Sequence, residues 1–163
     1  MRPWFVTVVA STALVLSGCQ QVNEPPESPE LSEAVETEVV EPQTSLFDLE
    51  VGTCLNDADT PLSADLTEVP TVSCDQPHDS ELYAIVTVEE GIYPGVDDLV
   101  QAGQTKCQAV FADFVGIDFR SSILDFHFYY PPPSSWAQGD RSIFCLVSDP
   151  GLTVVGTLQG AQR

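Results

Sequence analysis

The densest group of side chains that could do acid–base chemistry lies between Asp75 and Glu81. His78 adjoins Asp79 and stands three residues before Glu81, so an imidazole base oriented by a carboxylate is one interpretation of this segment. The other interpretation is a turn between two strands, in which His78 and Glu81 hydrogen-bond the loop and pair with Arg141. We favour the turn, because catalysis also requires a pocket and an oxyanion donor.

Other motifs for metal or nucleophilic chemistry are incomplete. Asp57 and Asp59 resemble the start of a calcium loop, but the glycine required at its sixth position is missing. His127, beside Asp125 on the polar face of a predicted strand, is expected to be a hydrogen-bonded surface residue. Ser80 lacks the flanking glycines of a nucleophile elbow. We therefore assign no catalytic residue, no metal ligand and no cofactor, and we expect a protein that is not an enzyme.

Aromatic residues and prolines surround a second polar segment. Tyr129 and Tyr130 stand before three prolines, and Trp136 stands after them. These three aromatic residues could form a binding surface for a protein or a glycan. In the alternative, Trp136 folds back over the core, a glycine takes a positive φ, and Arg141 clamps a nearby carboxylate. We expect four residues to form a structural polar hub: His78, Glu81, Asp140 and Arg141.

Hydrophobic patterning predicts the elements that position these residues. Segment 97–115 repeats apolar residues at helical spacing and is followed by Gly116, which predicts one long helix. Segment 123–130 alternates as a strand does, and we expect its apolar face to pack on the helix. Pro70 indicates an edge strand or the start of a strand. Further strands are predicted at 69–74, 82–88 and 142–148, with a short strand or turn at 51–55 and a last short strand that begins at Val154-Val155. The predicted fold class is α+β, a small antiparallel sheet with one long helix packed on one face.

The beginning of the chain has the composition of a bacterial lipoprotein signal. Arg2 precedes an apolar run over 4–16, which is shorter than the roughly 20 residues that a spanning helix needs. Leu16-Ser17-Gly18 then precede Cys19, whose thiol would carry a lipid after cleavage. Residues 1–18 are therefore predicted to be a signal peptide. Cys19 would be the lipidated amino terminus at the outer face of the cell membrane.

The remaining chain divides into a tether and a domain. Residues 19–46 are rich in glutamate and proline without a Lys or Arg, which predicts an extended tether. Residues 47–163 are predicted to form the folded domain. The formal net charge of −20 argues against nucleic acid as a partner, because phosphate binding requires a basic surface.

Four cysteines follow Cys19, and an even number in an exported domain predicts two disulfides. Three connectivities are open. We favour Cys54–Cys74, because pairing the segments 51–55 and 69–74, which contain these residues, would place them side by side. We favour Cys107–Cys145, because Cys107 lies on the buried face of the helix and must face a strand. No two cysteines have the C-x₂₋₄-C spacing of a zinc site.

Short motifs follow one another in order through the predicted domain. They are Val51-Gly52-x-Cys54, Cys74-Asp75-x-Pro77-His78-Asp79-x-Glu81, Tyr93-Pro94-Gly95, Tyr129-Tyr130-Pro131, Ser135-Trp136-x-x-Gly139-Asp140-Arg141, Cys145-Leu146-Val147 and Gly156-Thr157-Leu158-x-Gly160. In this order they resemble the septum-formation-related domain of actinobacterial membrane proteins and lipoproteins. The resemblance implies an extracytoplasmic domain linked to cell division, and it carries over no catalytic residue.

These observations together predict a membrane-anchored lipoprotein whose septum-formation-like domain binds another protein of the cell envelope or of cell division. Two alternatives stay open. One is an envelope hydrolase that uses His78 with Asp79 or Glu81. The other is a protein that binds a wall glycan through the face between Tyr129 and Trp136.

Overall fold

The computed structural model describes residues 41–60 and 66–163. The predicted signal peptide, Cys19 and the tether up to residue 40 lie outside the described residues. The elements are β1 (Gln43–Ser45), β2 (Cys54–Leu55), β3 (Glu68–Val72), β4 (Ser80–Thr87), α1 (Val96–Val115), β5 (Asp125–Tyr129), α2 (Pro133–Trp136) and β6 (Ser142–Ser148). Within these two ranges, no helix combines the length and the apolar character needed to cross a membrane.

The strands form one antiparallel sheet in the order β1-β3-β2-β4-β6-β5. The longest pairing joins β4 to β6, from Ser80 opposite Ser148 to Thr87 opposite Ser142. Alternate residues of these two strands contribute to two apolar clusters, one on each face of the sheet. The helix α1 packs on one of these faces, so the predicted fold class is confirmed.

The sheet begins earlier in the chain than the composition indicated. The strand β1 lies within residues 19–46, the segment predicted to be a tether, and it pairs with β3 from Gln43–Pro70 to Ser45–Glu68. A strand of three residues is too short to give a periodic pattern. The prediction for this segment therefore rested on the surrounding glutamates and prolines, which are typical of a tether.

The expectation that Pro70 marks an edge or a strand start is wrong, since Pro70 is the third residue of β3, between β1 and β2. The strand β2 ends at Leu55, which pairs with Thr71. The residue opposite Pro70 is therefore Asn56, whose amide donates to the Pro70 carbonyl at 3.2 Å. Pro70 has no backbone N–H to donate to Asn56. Because Asn56 lies beyond the end of β2, this missing hydrogen bond does not interrupt the pairing of β2 with β3.

The helix α1 lies between Gly95 and Gly116 and approaches the sheet closely at Gly103. Gly116 ends it with a left-handed φ of 91°, and its amide donates to the Ala112 carbonyl at 2.9 Å. Gly103 faces β5, where an added Cβ would lie 2.3 Å from the ring of Phe128. A glycine at this position therefore permits the close contact of helix and sheet.

Both predicted disulfides are confirmed. Cys54–Cys74 joins β2 to the segment after β3, with 5.3 Å between the Cα atoms. Cys107–Cys145 joins α1 to β6, with 5.6 Å between the Cα atoms, and both of its residues are fully buried. The second disulfide therefore fixes the helix on the sheet.

The short strand predicted to begin at Val154-Val155 is wrong, because Val154 forms only an isolated bridge with His78. The segment 154–163 runs back over the start of β4 and the end of α1. Its hydrogen bonds pair Val154 with His78, Leu158 with Glu81, Gly160 with Phe114, Gln162 with Val115, and Arg163 with Asp149. Leu158 also enters the apolar cluster beneath the helix. This segment is therefore an integral part of the core.

Candidate functional site

A buried carboxylate, that of Asp57, lies at the centre of a hydrogen-bonded cluster. Its Oδ1 accepts from the Ser80 hydroxyl at 2.6 Å, and its Oδ2 accepts from the Tyr129 hydroxyl at 2.7 Å. The same Oδ2 lies 2.9 Å from His127 Nε2. We name these four residues the Asp57 cluster. Asp57 follows β2, Ser80 begins β4, and the other two lie on β5, so the cluster joins residues that are far apart in the sequence.

The electrostatics of this cluster favour an ionised Asp57. Burial raises the pKa of Asp57, but the hydrogen bond and charge of His127 and the hydroxyls of Ser80 and Tyr129 outweigh it. The pKa therefore lies below its ordinary value of 3.8. Burial and the charge of Asp57 raise the pKa of Tyr129 above its ordinary value. The phenol therefore stays protonated at neutral pH and donates to the carboxylate.

The order of the groups in the Asp57 cluster does not suit nucleophilic catalysis. In a Ser-His-Asp triad the histidine stands between the serine and the carboxylate. Here the carboxylate stands between Ser80 and His127, and the Ser80 side chain is fully buried. A cleft of about 450 Å³ borders the cluster, with Asp79 and Asp149 also in its lining. The arrangement holds a carboxylate in place and leaves no activated hydroxyl.

His78 and Glu81 form a separate polar group. Glu81 follows Ser80 on β4, so its side chain projects from the opposite face of the sheet. Its carboxylate accepts from the Thr157 hydroxyl and the Leu158 amide, both at 2.6 Å. The Nδ1 of His78 donates to the Gln76 carbonyl at 2.9 Å. Its Nε2 is buried with no partner among the described residues, at a cost of roughly 1–3 kcal/mol.

The predicted pairing of His78 and Glu81 with Arg141 is wrong, because Arg141 belongs to the segment around α2. Its Nη1 donates to the carbonyls of Trp136 at 2.8 Å and Asp140 at 2.6 Å. Its Nη2 lies 3.2 Å from the Glu90 carboxylate, which is largely exposed. The four residues predicted to form one polar hub therefore form two separate groups. His78 and Glu81 lie at the start of β4, and Asp140 and Arg141 lie near its end.

Asp140 fixes the other side of this segment. Its carboxylate accepts from the Ser135 hydroxyl and from the Ser142 amide, both at 2.9 Å. The guanidinium of Arg141 lies 3.8 Å over the Trp136 ring, and the indole Nε1 donates to the Gly91 carbonyl at 3.1 Å. Trp136 is therefore folded over the core, as one of the two sequence interpretations expected.

The three aromatic residues predicted to share a binding surface are separated in the structure. Tyr129 and Tyr130 are consecutive in the chain and project to opposite faces. Tyr129 joins the Asp57 cluster, whereas Tyr130 packs beside Phe128 on the helix side. Trp136 is only 5% exposed. The prediction of one continuous surface formed by all three is therefore corrected.

A groove of about 660 Å³ nevertheless borders both tyrosines. It lies between the 3₁₀ turn Leu46–Asp48 and the segment from 130 to 140. Phe47 stands at its rim and is 61% exposed. Among the described residues that line it, the only charged side chain is that of Asp140. We name it the aromatic groove, after Phe47 at its rim and Tyr129 in its lining.

The Asp57 cluster was not anticipated from the sequence. His127 was expected to be a hydrogen-bonded surface residue and is hydrogen-bonded, but its partner is Asp57, which is 70 residues away. One feature of the sequence could have indicated this cluster. His127 and Tyr129 project from the same face of one strand, and both carry a donor that needs an acceptor when partly buried.

The geometry defines a class, a disulfide-stabilised α+β domain with a buried anionic centre and an aromatic groove. The model of a family described as septum formation matches residues 33–161. The chain therefore belongs to the septum-formation family, as its motifs indicated. No curated protein and no solved structure matches it.

Proposed function

We propose that this protein is a lipoprotein at the outer face of the cell membrane. We also propose that its septum-formation domain is a non-catalytic module that binds another envelope or division protein. The lipidation motif that ends at Cys19 supports the anchor. The two disulfides support the location, because disulfides persist in oxidising compartments outside the cytoplasm.

The aromatic groove is the observation that carries the binding role. Aromatic side chains are enriched at protein interfaces, and Phe47 is already exposed at the rim. The Tyr129 hydroxyl is held by Asp57, so this wall of the groove is organised before a partner arrives. Asp140 is the one charge along the described lining, and the whole chain carries −20. The occupant we propose is an extended segment of a partner protein that carries a basic residue.

The hydrolase interpretation has less support. Its base, His78, is completely buried, and one of its ring nitrogens is already used by the Gln76 carbonyl. The groove could also hold a wall glycan, and that alternative becomes an outcome of the experiment below.

Replacing Cys19 with alanine is expected to release the protein from the membrane fraction, because the acceptor of the lipid is lost. Cell fractionation and the intact mass of the amino-terminal peptide measure this. Ser17→Ala is the control, since it keeps a small residue before Cys19 and should stay membrane-bound. Membrane retention of the Cys19→Ala protein would show that a lipid on this residue is not the anchor.

Binding in the aromatic groove is tested by a photo-crosslinking amino acid at position 47 in living cells. We expect a discrete protein adduct, whose crosslinked segment carries a Lys or Arg. The control is the same amino acid at Ile92, which is 93% exposed and outside the groove, and which should give no such adduct. The purified partner should then bind the Phe47→Ala domain about tenfold more weakly, equivalent to about 1.4 kcal/mol.

Each other outcome has a defined meaning. An adduct with the mass of a wall fragment would favour the glycan. Adducts of the same protein from both positions, or from neither, would contradict a docking role of the groove.

A further inference from the structure

Four side chains with sulfur, nitrogen or oxygen donor atoms that suit zinc converge where β2 meets the start of β4. Cys54 stands directly opposite Glu81 in the register of these strands, so both project from the same face. The sulfur of Cys54, a ring nitrogen of His78 and a carboxylate oxygen of Glu81 all lie within 4.8 Å of one another. Cys74 is bonded to Cys54, which brings a second sulfur to the same place.

His78 is the independent sign that this group is suited to a ligand. Its side chain is fully buried, and its Nδ1 donates to the Gln76 carbonyl. In the neutral ring the lone pair is then on Nε2, which has no hydrogen-bond partner in the part of the chain that the structure describes. A neutral imidazole with one nitrogen bonded to a carbonyl and the other free is the form that binds metals.

Glu81 is oriented in the same way as a metal-binding carboxylate. Both of its oxygens accept hydrogen bonds, from the Thr157 hydroxyl and the Leu158 amide. Such outer contacts fix the direction of a ligand while leaving lone pairs for the metal. No cationic side chain is paired with this buried carboxylate among the described residues.

We propose that reduction of the Cys54–Cys74 disulfide converts this group into a zinc site with the ligands Cys54, Cys74, His78 and Glu81. The reductant is a dithiol, which becomes a disulfide as it supplies two electrons, and Cys54 and Cys74 become thiols. Each thiol then loses its proton to solvent as its sulfur binds Zn²⁺. The disulfide and the metal exclude each other, because a sulfur bonded to sulfur is not a thiolate.

The chemistry of the donors selects the metal. Two thiolates and an imidazole favour zinc over calcium or magnesium, which take oxygen ligands. Around zinc the donor atoms would stand about 3.3–3.8 Å apart. The donor atoms of Cys54, His78 and Glu81 already lie within 4.8 Å of one another, and the two sulfurs move apart once their bond is reduced. Cys74 is partly exposed, which gives an attacking thiolate access to the disulfide. Cys107–Cys145 is completely buried and should resist the same reagent.

The test uses the full mature chain treated with a mild dithiol until alkylation and mass spectrometry count two free thiols. We expect the reduced protein to bind one Zn²⁺ in competition with a chromophoric chelator, and the oxidised protein to bind none. With Co²⁺ in place of zinc, the reduced protein should show a sulfur-to-cobalt charge-transfer band. This spectrum reports on the wild type and needs no substitution.

Variants identify the remaining ligands. His78→Ala and Glu81→Gln are each expected to weaken zinc binding by more than about 100-fold. The exposed neighbour of Cys74 is the control, and Asp75→Asn should bind as the wild type does. Circular dichroism of each variant separates loss of binding from loss of the fold. The proposal would be overturned by equal zinc binding before and after reduction, or by the absence of a cobalt–sulfur band. It would also be overturned if the folded His78→Ala and Glu81→Gln variants bound zinc with full affinity.

Discussion

Replacing Asp57 with alanine is expected to lower the free energy of unfolding by about 3–5 kcal/mol at pH 7. The substitution removes an anion that accepts from Ser80, His127 and Tyr129. It leaves two buried hydroxyls without their acceptor. It also removes the contact that joins the loop after β2 to β5, across β4 and β6. Urea unfolding followed by circular dichroism measures the change.

Asp59→Ala is the matched control, because Asp59 lies in the same loop and is exposed. Its effect should stay within about 0.5 kcal/mol. Equal stability of the two variants would contradict a structural role of the Asp57 cluster.

The Asp57 effect should also depend on pH in a defined direction. The pKa of folded Asp57 lies below its ordinary value of 3.8, so the stabilisation is complete above that value. It is lost as the pH falls through the folded pKa. The difference between wild type and Asp57→Ala should therefore shrink in acid. A difference that stays constant from neutral pH down to acid would show that ionisation of Asp57 contributes nothing.

The second large effect is expected for the double variant Cys107→Ala with Cys145→Ala. This disulfide closes a loop with a sequence separation of 38. The chain-entropy model then gives about 4 kcal/mol of stabilisation, within the roughly 2–5 kcal/mol measured when native disulfides are removed. Both sulfurs are also fully buried between α1 and the sheet, so their loss leaves space in the core. Thermal and urea unfolding of the oxidised proteins measure the change.

The comparison variant is Cys54→Ala with Cys74→Ala, which opens a loop with a separation of 20. The same model gives about 3 kcal/mol for it. A Cys107→Ala, Cys145→Ala protein with the unfolding midpoint of the wild type would refute the view that this bond holds the helix on the sheet.

The parts of the fold that could be predicted from sequence are those with a local signal. The helix α1 has twenty residues of helical periodicity and a glycine at its end. The strands β4 and β6 have enough apolar residues to be recognised, and α1 and β6 in turn gave the Cys107–Cys145 pairing. The strand β1 has only three residues and no such pattern.

The polar contacts were harder to predict, because they depend on which strands become neighbours. Asp57 and His127 meet only because β2, β4, β6 and β5 lie side by side in that order. Nothing in the segment around either residue specifies that order. The partner of Arg141 could not be predicted for the same reason. Its charge indicated a carboxylate partner, but several were available, and the position of α2 selected Glu90.

The contacts of segment 154–163 have a consequence for how the chain matures. The amide and hydroxyl that satisfy Glu81 come from residues 157 and 158, which are synthesised long after β4. The native hydrogen bonds of Glu81 can therefore form only after residues 157 and 158 have been synthesised. The start of β4 therefore reaches its native, protected state only after both β6 and segment 154–163 are in place.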